Sequence, residues 1–273
     1  FDPSFGAERA AAEARFISSR GKPWDLMAWS FLNTGEQGWT FKTVPHLCQE
    51  VSEVLAQGGA VFIYDTPQRS GRLTEWHQDL LAQVAQFCRK RQAYCHKTAS
   101  IPQVAILHSE TSYYKYNDPL FNFGRANQAM EGALHAVLEN GYSADILNEE
   151  TLLARLAEYP VVIIPEAEDV SDTVKSALKG YVEKGGRLLI SGDFVAEQYG
   201  DLAGVAKKEG PKESGFLPVQ GQAVTVSGAF QPTTLGTAEM SAPLLYQQDP
   251  EKNQRDIAAA TRNRVGKGVV VAL

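Results

Sequence analysis

Between Gln103 and Asp193 four short apolar runs, QVAILHS, YSADIL, VVIIPEA and RLLISGD, alternate with segments of helical spacing. The helical segments are roughly 124–139, then Glu149–Ala157, then a stretch in which Ser171 precedes Val174, Leu178, Tyr181 and Val182. Ser171 sits where a helix N-cap is expected. Strands that alternate with helices pair in parallel, because a right-handed crossover returns the chain over the sheet. The pattern predicts a doubly wound parallel α/β sheet. After residue 215 it changes to short β runs, QAVTVSG, IAAATRNRV and GVVVAL, the last two joined through VGKG as a hairpin. These form a C-terminal β extension.

The first part of the chain reads α-β-α-β-α. Residues 8–19 are helical in pattern, and Gly21 and Pro23 close that element. WDLMAWSF (24–31) has strand length, and the polar segment LNTGEQGWTFKT reads as a loop. Val44, Leu47, Cys48, Val51, Val54 and Leu55 keep helical spacing up to Gly58 and Gly59. AVFIYD follows without polar alternation, which predicts a strand buried on both faces. Trp76, Leu80, Leu81, Val84, Phe87 and Cys88 mark another amphipathic helix, and RKRQAYCHKTASIP reads as a linker. The organisation expected is 1–95, a linker at 96–102, and 103–273. Two strands share one grammar, GGAVFIYD and GGRLLISGD: a double glycine, an apolar run and a terminal carboxylate. There is no internal repeat beyond that.

A length of 273 residues accommodates two such units. A formal charge of −6 and a pI near 5.5 leave no basic footprint for nucleic acid. No apolar run approaches the ~18 residues of a membrane span. Cys48, Cys88 and Cys95 lack zinc-type pairing, and the first two sit on apolar helix faces as core thiols. No metal or cofactor is expected. The opening FDPSFGAERAAAEARF reads as if entered midway through a domain, and GKGVVVAL stops within a strand, so a piece of a longer protein is expected.

WDLMAWSF, QGWTFK and LAQGGAVFIYDTPQRSGRL, over roughly 20–90, resemble the closing part of the catalytic barrel of α-L-fucosidase-like glycoside hydrolases. Trp24, Asp25, Trp39, Gly58, Gly59, Pro67 and Gly71 fall on that pattern; Thr40 and Thr66 depart from it, where Tyr and Gly are usual. The resemblance implies the last strands of a (β/α)₈ barrel, with sites at the C-terminal strand ends. It also implies a nucleophilic carboxylate on an earlier strand, upstream of Phe1. Glycoside hydrolysis generally needs two carboxyls about 5–10 Å apart, and only fragments of such a site are present. Trp29 and Trp39 could stack on a sugar ring or simply pack. Asp65 and Gln68 occupy the mouth of the last strand, where Asp65 is either a binding carboxylate or a turn former. Asp25 reads as structural, and Glu36 as a loop acid.

The second part, VAILHS through RLLISGD and again AAATRNRVGKGVVVAL, is similar to the β-galactosidase trimerisation domain. That resemblance implies a flavodoxin-like, amidotransferase-like fold without the amidotransferase reaction. A nucleophile elbow after LLIS would need Cys or Ser in a Gly-rich turn; Gly192-Asp193-Phe194 stands there, and no Cys follows Cys95. Asp193 and His108 each end a strand, Asp193 as a turn residue or cap and His108 as a satisfied polar group. The aromatic loop 113–123, with Tyr113, Tyr114, Tyr116, Phe121 and Phe123, suits a subunit interface or a sugar platform, or else covers the domain junction.

Together these readings predict the C-terminal portion of a fucosidase- or galactosidase-like glycoside hydrolase. The expected partners are the parent's carbohydrate substrate and further copies of the chain, three by the resemblance. The alternative is a non-enzymatic assembly or carbohydrate-binding module.

Overall fold

The computed structural model describes residues 6–33, 39–116, 127–226, 228–249 and 257–273, with backbone only at 33, 39 and 116. It divides into two compact units, Phe1–Ile101 and Pro102–Leu273.

The first unit runs α1 (Gly6–Ser18), β1 (Asp25–Trp29), β2 (Phe31–Asn33), β3 (Trp39–Phe41), α2 (Val44–Ala56), β4 (Ala60–Tyr64) and α3 (Glu75–Cys95). Strands β1 and β4 pair in parallel with Asp25 opposite Ala60 and Trp29 opposite Tyr64. Thr43 starts α2, its hydroxyl accepting from the His46 N–H. Val61 and Ile63 pack with Leu47, Val51 and Val84 in a helix-covered core that Cys48 and Cys88 also join. Lys42 and Glu50 form a fully buried ion pair at 2.6 Å.

Three expectations are corrected here. Strand β4 is not buried on both faces: Phe62 is 52% and Tyr64 40% exposed, because only the Val61–Ile63 face meets helices. The polar loop after β1 contains an antiparallel pair, β2 with β3. The linker reading of 89–95 fails, since α3 continues to Cys95. Long polar side chains are good helix formers, and the exposed face of this helix is simply hydrophilic.

The double glycines have separate tasks. Gly58 (φ +80) turns the chain out of α2, and Gly59 lies against the Trp24 ring, where a Cβ would collide. Gly185 (φ +118) and Gly186, under the Tyr181 ring, repeat this arrangement in the second unit.

The second unit contains β5 (Val104–Leu107), α4 (Glu110–Tyr116), α5 (Gln128–Glu139), β6 (Ala144–Leu147), α6 (Glu149–Arg155), β7 (Val161–Pro165), α7 (Asp172–Glu183) and β8 (Arg187–Ser191). Two short helices, α8 (Val195–Gln198) and α9 (Gly200–Ala203), lead to β9 (Val205–Lys207), β10 (Phe216–Val219) and β11 (Gln222–Thr225). Then come β12 (Thr233–Leu235), β13 (Glu239–Pro243), β14 (Ala258–Val265) and β15 (Gly268–Ala272). One seven-stranded sheet has the order β13-β14-β15-β8-β7-β5-β6. From β6 to β15 its strands are parallel, while β14 runs antiparallel to β15 and β13 antiparallel to β14. Strands β5 and β6 are buried throughout. Asp145 within β6 is satisfied by the Tyr159 hydroxyl at 2.6 Å and by Arg155; burial first, then this carboxylate, pushes the Tyr159 pKa up.

Ser171 caps α7 through the Val174 N–H, and VGKG closes the β14–β15 hairpin. The aromatic segment differs from its expectation: Tyr113, Tyr114 and Tyr116 lie on α4 rather than in a loop, while Phe121 and Phe123 lie outside the described residues. Helix α5 starts at Gln128; residues 124–126 are likewise outside the description.

Candidate functional site

In the first unit the polar groups gather where β1 and β4 end side by side. Ser30, just past β1, donates its hydroxyl to Asp65 Oδ1 at 3.0 Å, and the Thr66 N–H reaches the same oxygen at 2.8 Å. Asp65 Oδ2 lies 3.0 Å from Nδ1 of His77, a buried residue in the first turn of α3. The Phe41 ring lies tilted against the His77 ring with centroids 3.9 Å apart, and Trp76 lies beside both. Asp65 is thus held at Oδ1 by two hydrogen bonds, while Oδ2, beside His77, and His77 Nε2 are buried without a hydrogen-bond partner among the described residues. His77 escaped the sequence reading, because its partner arrives from a different strand; its only local signal is its place beside Trp76 at a helix start.

Trp29 packs its ring at 5.2 Å from Phe31 and 5.9 Å from Tyr64. It therefore shares the open face of the β1–β4 pair with Met27, Phe62 and Tyr64, which are 37%, 52% and 40% exposed. Gln68 lies in the turn after β4, its N–H donating to Arg72 O and its Nε2 to Thr74 Oγ1. Trp39, in β3, pairs through its backbone with Asn33 of β2. Glu36 lies outside the described residues. Trp29 and Asp65 thus stand on adjacent strand ends, and Gln68 lies in the turn beyond.

In the second unit two cavities open at the C-terminal ends of the parallel strands. The larger, about 510 Å³, lies over β7, β8, β14 and β15 and is lined by Glu166, Ser191, Phe194, Phe230, Thr261 and neighbours. The smaller, about 270 Å³, lies between the ends of β5 and β7 and includes His108, Asn127 and Glu166. Burial pushes the His108 pKa down, partly offset by the Glu149 and Glu110 carboxylates. Asp193 lies two residues past β8 at the rim of the larger cavity, in an exposed ion pair with Lys212. Tyr114 is 61% exposed, while Tyr113 stacks edge-on against both His108 and Tyr114.

Glu166 is the residue that sequence reasoning missed here. It follows β7 with φ +46, a left-handed conformation rare for a side chain of this kind, and it lines both cavities. The signal was present in VVIIPEA, a third apolar run ending in a carboxylate. Among the described residues no group of three or more His, Cys, Asp or Glu could hold a metal ion, and no helix is long and apolar enough to cross a membrane.

No curated protein matches the chain. Residues 102–194 match the family model described as the β-galactosidase trimerisation domain. Among solved structures, the chain is similar to a catalytic mutant of a GH42 β-galactosidase from G. stearothermophilus, with a TM-score of 0.75 at 17% identity, covering 98% of this chain and 43% of that one. The β-galactosidase of Rahnella sp. R3 gives 0.74 at 18%, covering 100% and 45%. The α-L-fucosidase isoenzyme 2 of Paenibacillus thiaminolyticus gives 0.72 at 18%, covering 96% and 42%. The chain spans less than half the length of each of these proteins. At such identities the likeness is one of fold: a mixed α/β chain with a seven-stranded sheet, similar to part of GH42 β-galactosidases.

Proposed function

We propose that this chain is part of a glycoside hydrolase of galactosidase or fucosidase type, in which the second unit is an amidotransferase-like assembly domain and the first completes a (β/α)₈ barrel. The observation that carries the reading is the match of 102–194 to the β-galactosidase trimerisation domain. The strand order β6-β5-β7-β8-β15 supports the flavodoxin-like part, since it is the 2-1-3-4-5 order of that doubly wound class.

The barrel reading draws on the first unit. Barrel strands send one set of side chains to the surrounding helices and the other into a packed interior. Val61 and Ile63 meet helices, while Met27, Phe62 and Tyr64 project from the opposite face and would fill that interior. Trp29, Trp39, Asp65 and Gln68 are then candidate sugar contacts at the C-terminal mouth, and the catalytic carboxylates come from strands earlier in the parent protein. The parent would hydrolyse its substrate with paired carboxylates and no cofactor. Copies would associate through Tyr113, Tyr114, Tyr116, Phe121 and Phe123, because interfaces favour such rings.

The test uses the parent protein. Release of nitrophenol from the β-galactoside or the α-L-fucoside, in a trimer by light scattering, is the expected result, and Tyr114→Ser with Tyr116→Ser lowers the mass. A monomeric protein inert toward both glycosides overturns the reading.

A further inference from the structure

We propose that Cys48 and Cys88 of the first unit are a redox pair, which a low-molecular-weight disulfide converts into an intramolecular disulfide tying α2 to α3. Both thiols are free and partly buried, and both pack against one core of Leu47 and Val51 from α2 and Val84 from α3. Cys48 lies one turn after Val44, and Cys88 one turn after Val84, on the helix faces that meet in this core. Packed helix axes stand ~8–10 Å apart with Cα atoms ~2.3 Å from each axis, so facing residues have Cα atoms roughly 4–6 Å apart. A disulfide spans about that separation. The electrostatics agree with one shared seam: the Arg91 guanidinium, held over the Phe87 ring, acts on both thiols, and Cys48 acts on Cys88.

The chemistry runs in two exchanges. Burial pushes both thiols up, and Arg91 offsets part of this; Cys88 is pushed up further by Cys48. Cys48 is therefore the first to react. Its thiolate attacks one sulfur of glutathione disulfide, forming a mixed disulfide and releasing one glutathione thiolate. The Cys88 thiolate then attacks the Cys48 sulfur, the Cys48–Cys88 bond forms, and the second glutathione leaves. Two protein thiols have lost two protons and two electrons, and one glutathione disulfide has become two glutathiones. Only the thiolate attacks, so the reaction is slow near neutral pH and quickens as pH rises.

The third cysteine has a different fate. Cys95 lies two turns beyond Cys88 along α3, about 10 Å away, past the ~7 Å between Cα atoms that a bridge tolerates. It stays a thiol. The loop that the Cys48–Cys88 bond closes contains β4, Asp65 and the start of α3 with His77. Those elements bring the polar groups of the candidate site together. Closing a loop stabilises mainly by removing freedom from the unfolded chain, and small cores such as this one gain most from it.

In the experiment the full chain is incubated with glutathione disulfide at pH 8.5, unfolded in iodoacetamide and mapped by mass spectrometry. The expected product is a monomer two mass units lighter, with Cys95 alone alkylated and the Cys48 and Cys88 peptides cross-linked. Dithiothreitol restores three alkylated cysteines. Oxidation raises the melting temperature of the first unit by roughly 10 °C, and reduction reverses the rise. Cys95→Ala, which leaves the pair untouched, oxidises and melts in the same way, while Cys88→Ala stops at a glutathione adduct on Cys48. Three alkylated cysteines after overnight oxidation, a bond that involves Cys95 or a second chain, or a lasting glutathione adduct in the wild type each overturns the proposal. Glycosidase activity and assembly do not enter these readouts, so the proposal and the function above fail separately.

Discussion

Strand β4 of the first unit and strand β8 of the second begin in the same way and end differently. Each follows a double glycine whose first member turns the chain and whose second lies under an aromatic ring, Trp24 in one case and Tyr181 in the other. Strand β8 has parallel neighbours on both sides, β7 and β15, within a sheet whose core gathers Leu188, Ile190, Val162, Ile164 and Leu178. Among the described residues strand β4 has one neighbour, and its Phe62 and Tyr64 are exposed. An apolar run without alternation therefore reports what a strand is built to be covered by. It does not report that the cover is present.

The largest effect that would break this comparison lies in the polar core of the first unit. Lys42→Met leaves the Glu50 carboxylate buried beside His46 alone, and the expected loss is about 3–5 kcal/mol by chemical denaturation. Adding Glu50→Leu recovers most of it, because the pair then becomes apolar packing. A single variant as stable as the wild type would show that the pair is not buried in solution.

Next in size is a direct contrast between the units. Leu178→Ala, in the second core, costs about 2–5 kcal/mol. Phe62→Ser in this chain changes stability by no more than about 0.5 kcal/mol, as exposed substitutions do. In the parent protein, where the barrel reading covers Phe62, the same change costs as much as a core substitution. Equal tolerance in both contexts would count against the barrel.

A smaller effect is the pH response of the second unit. Burial lowers the His108 pKa, so below its ordinary value near 6.5 the unfolded chain takes up a proton that the folded one does not. Stability therefore falls as pH drops from about 6.5 toward the folded pKa and levels off below it. His108→Gln flattens that part of the profile, measured by thermal melts between pH 7.5 and 4.5. The smallest effect is at the crevice rim: Asp193→Ala removes an exposed ion pair and shifts stability by about 0–1 kcal/mol.

The second unit was legible because its signals are local. The all-apolar strands, the Ser171 cap and the VGKG turn each act within a few residues, and the structure realises each of them. Helix α4 was harder to read, since ETSYYKY has no apolar period; its sign was Ser109, whose hydroxyl accepts from the Ser112 N–H. Strands β2 and β3 hid in polar sequence because only three residues of each pair. The Ser30–Asp65–His77 grouping is non-local, joining two strand ends to a helix, so no spacing announces it. Glu166 was hidden differently. Its strain is a backbone fact, and a Glu after an apolar strand looks like any other.

The position of β15 also has a consequence for how the second unit folds. Val269 pairs with Arg187 across the whole segment that carries β9 to β13, so the partner of β8 comes from far along the chain. Until it docks, β8 has one bare edge, and loop closure over that segment must be met before the pairing returns any stabilisation. The β6-β5-β7-β8 part can assemble early from contacts close in sequence, and insertion of the β14–β15 hairpin is then the slow, late event. During that interval the open side of β8 is the place where chains would stick to one another.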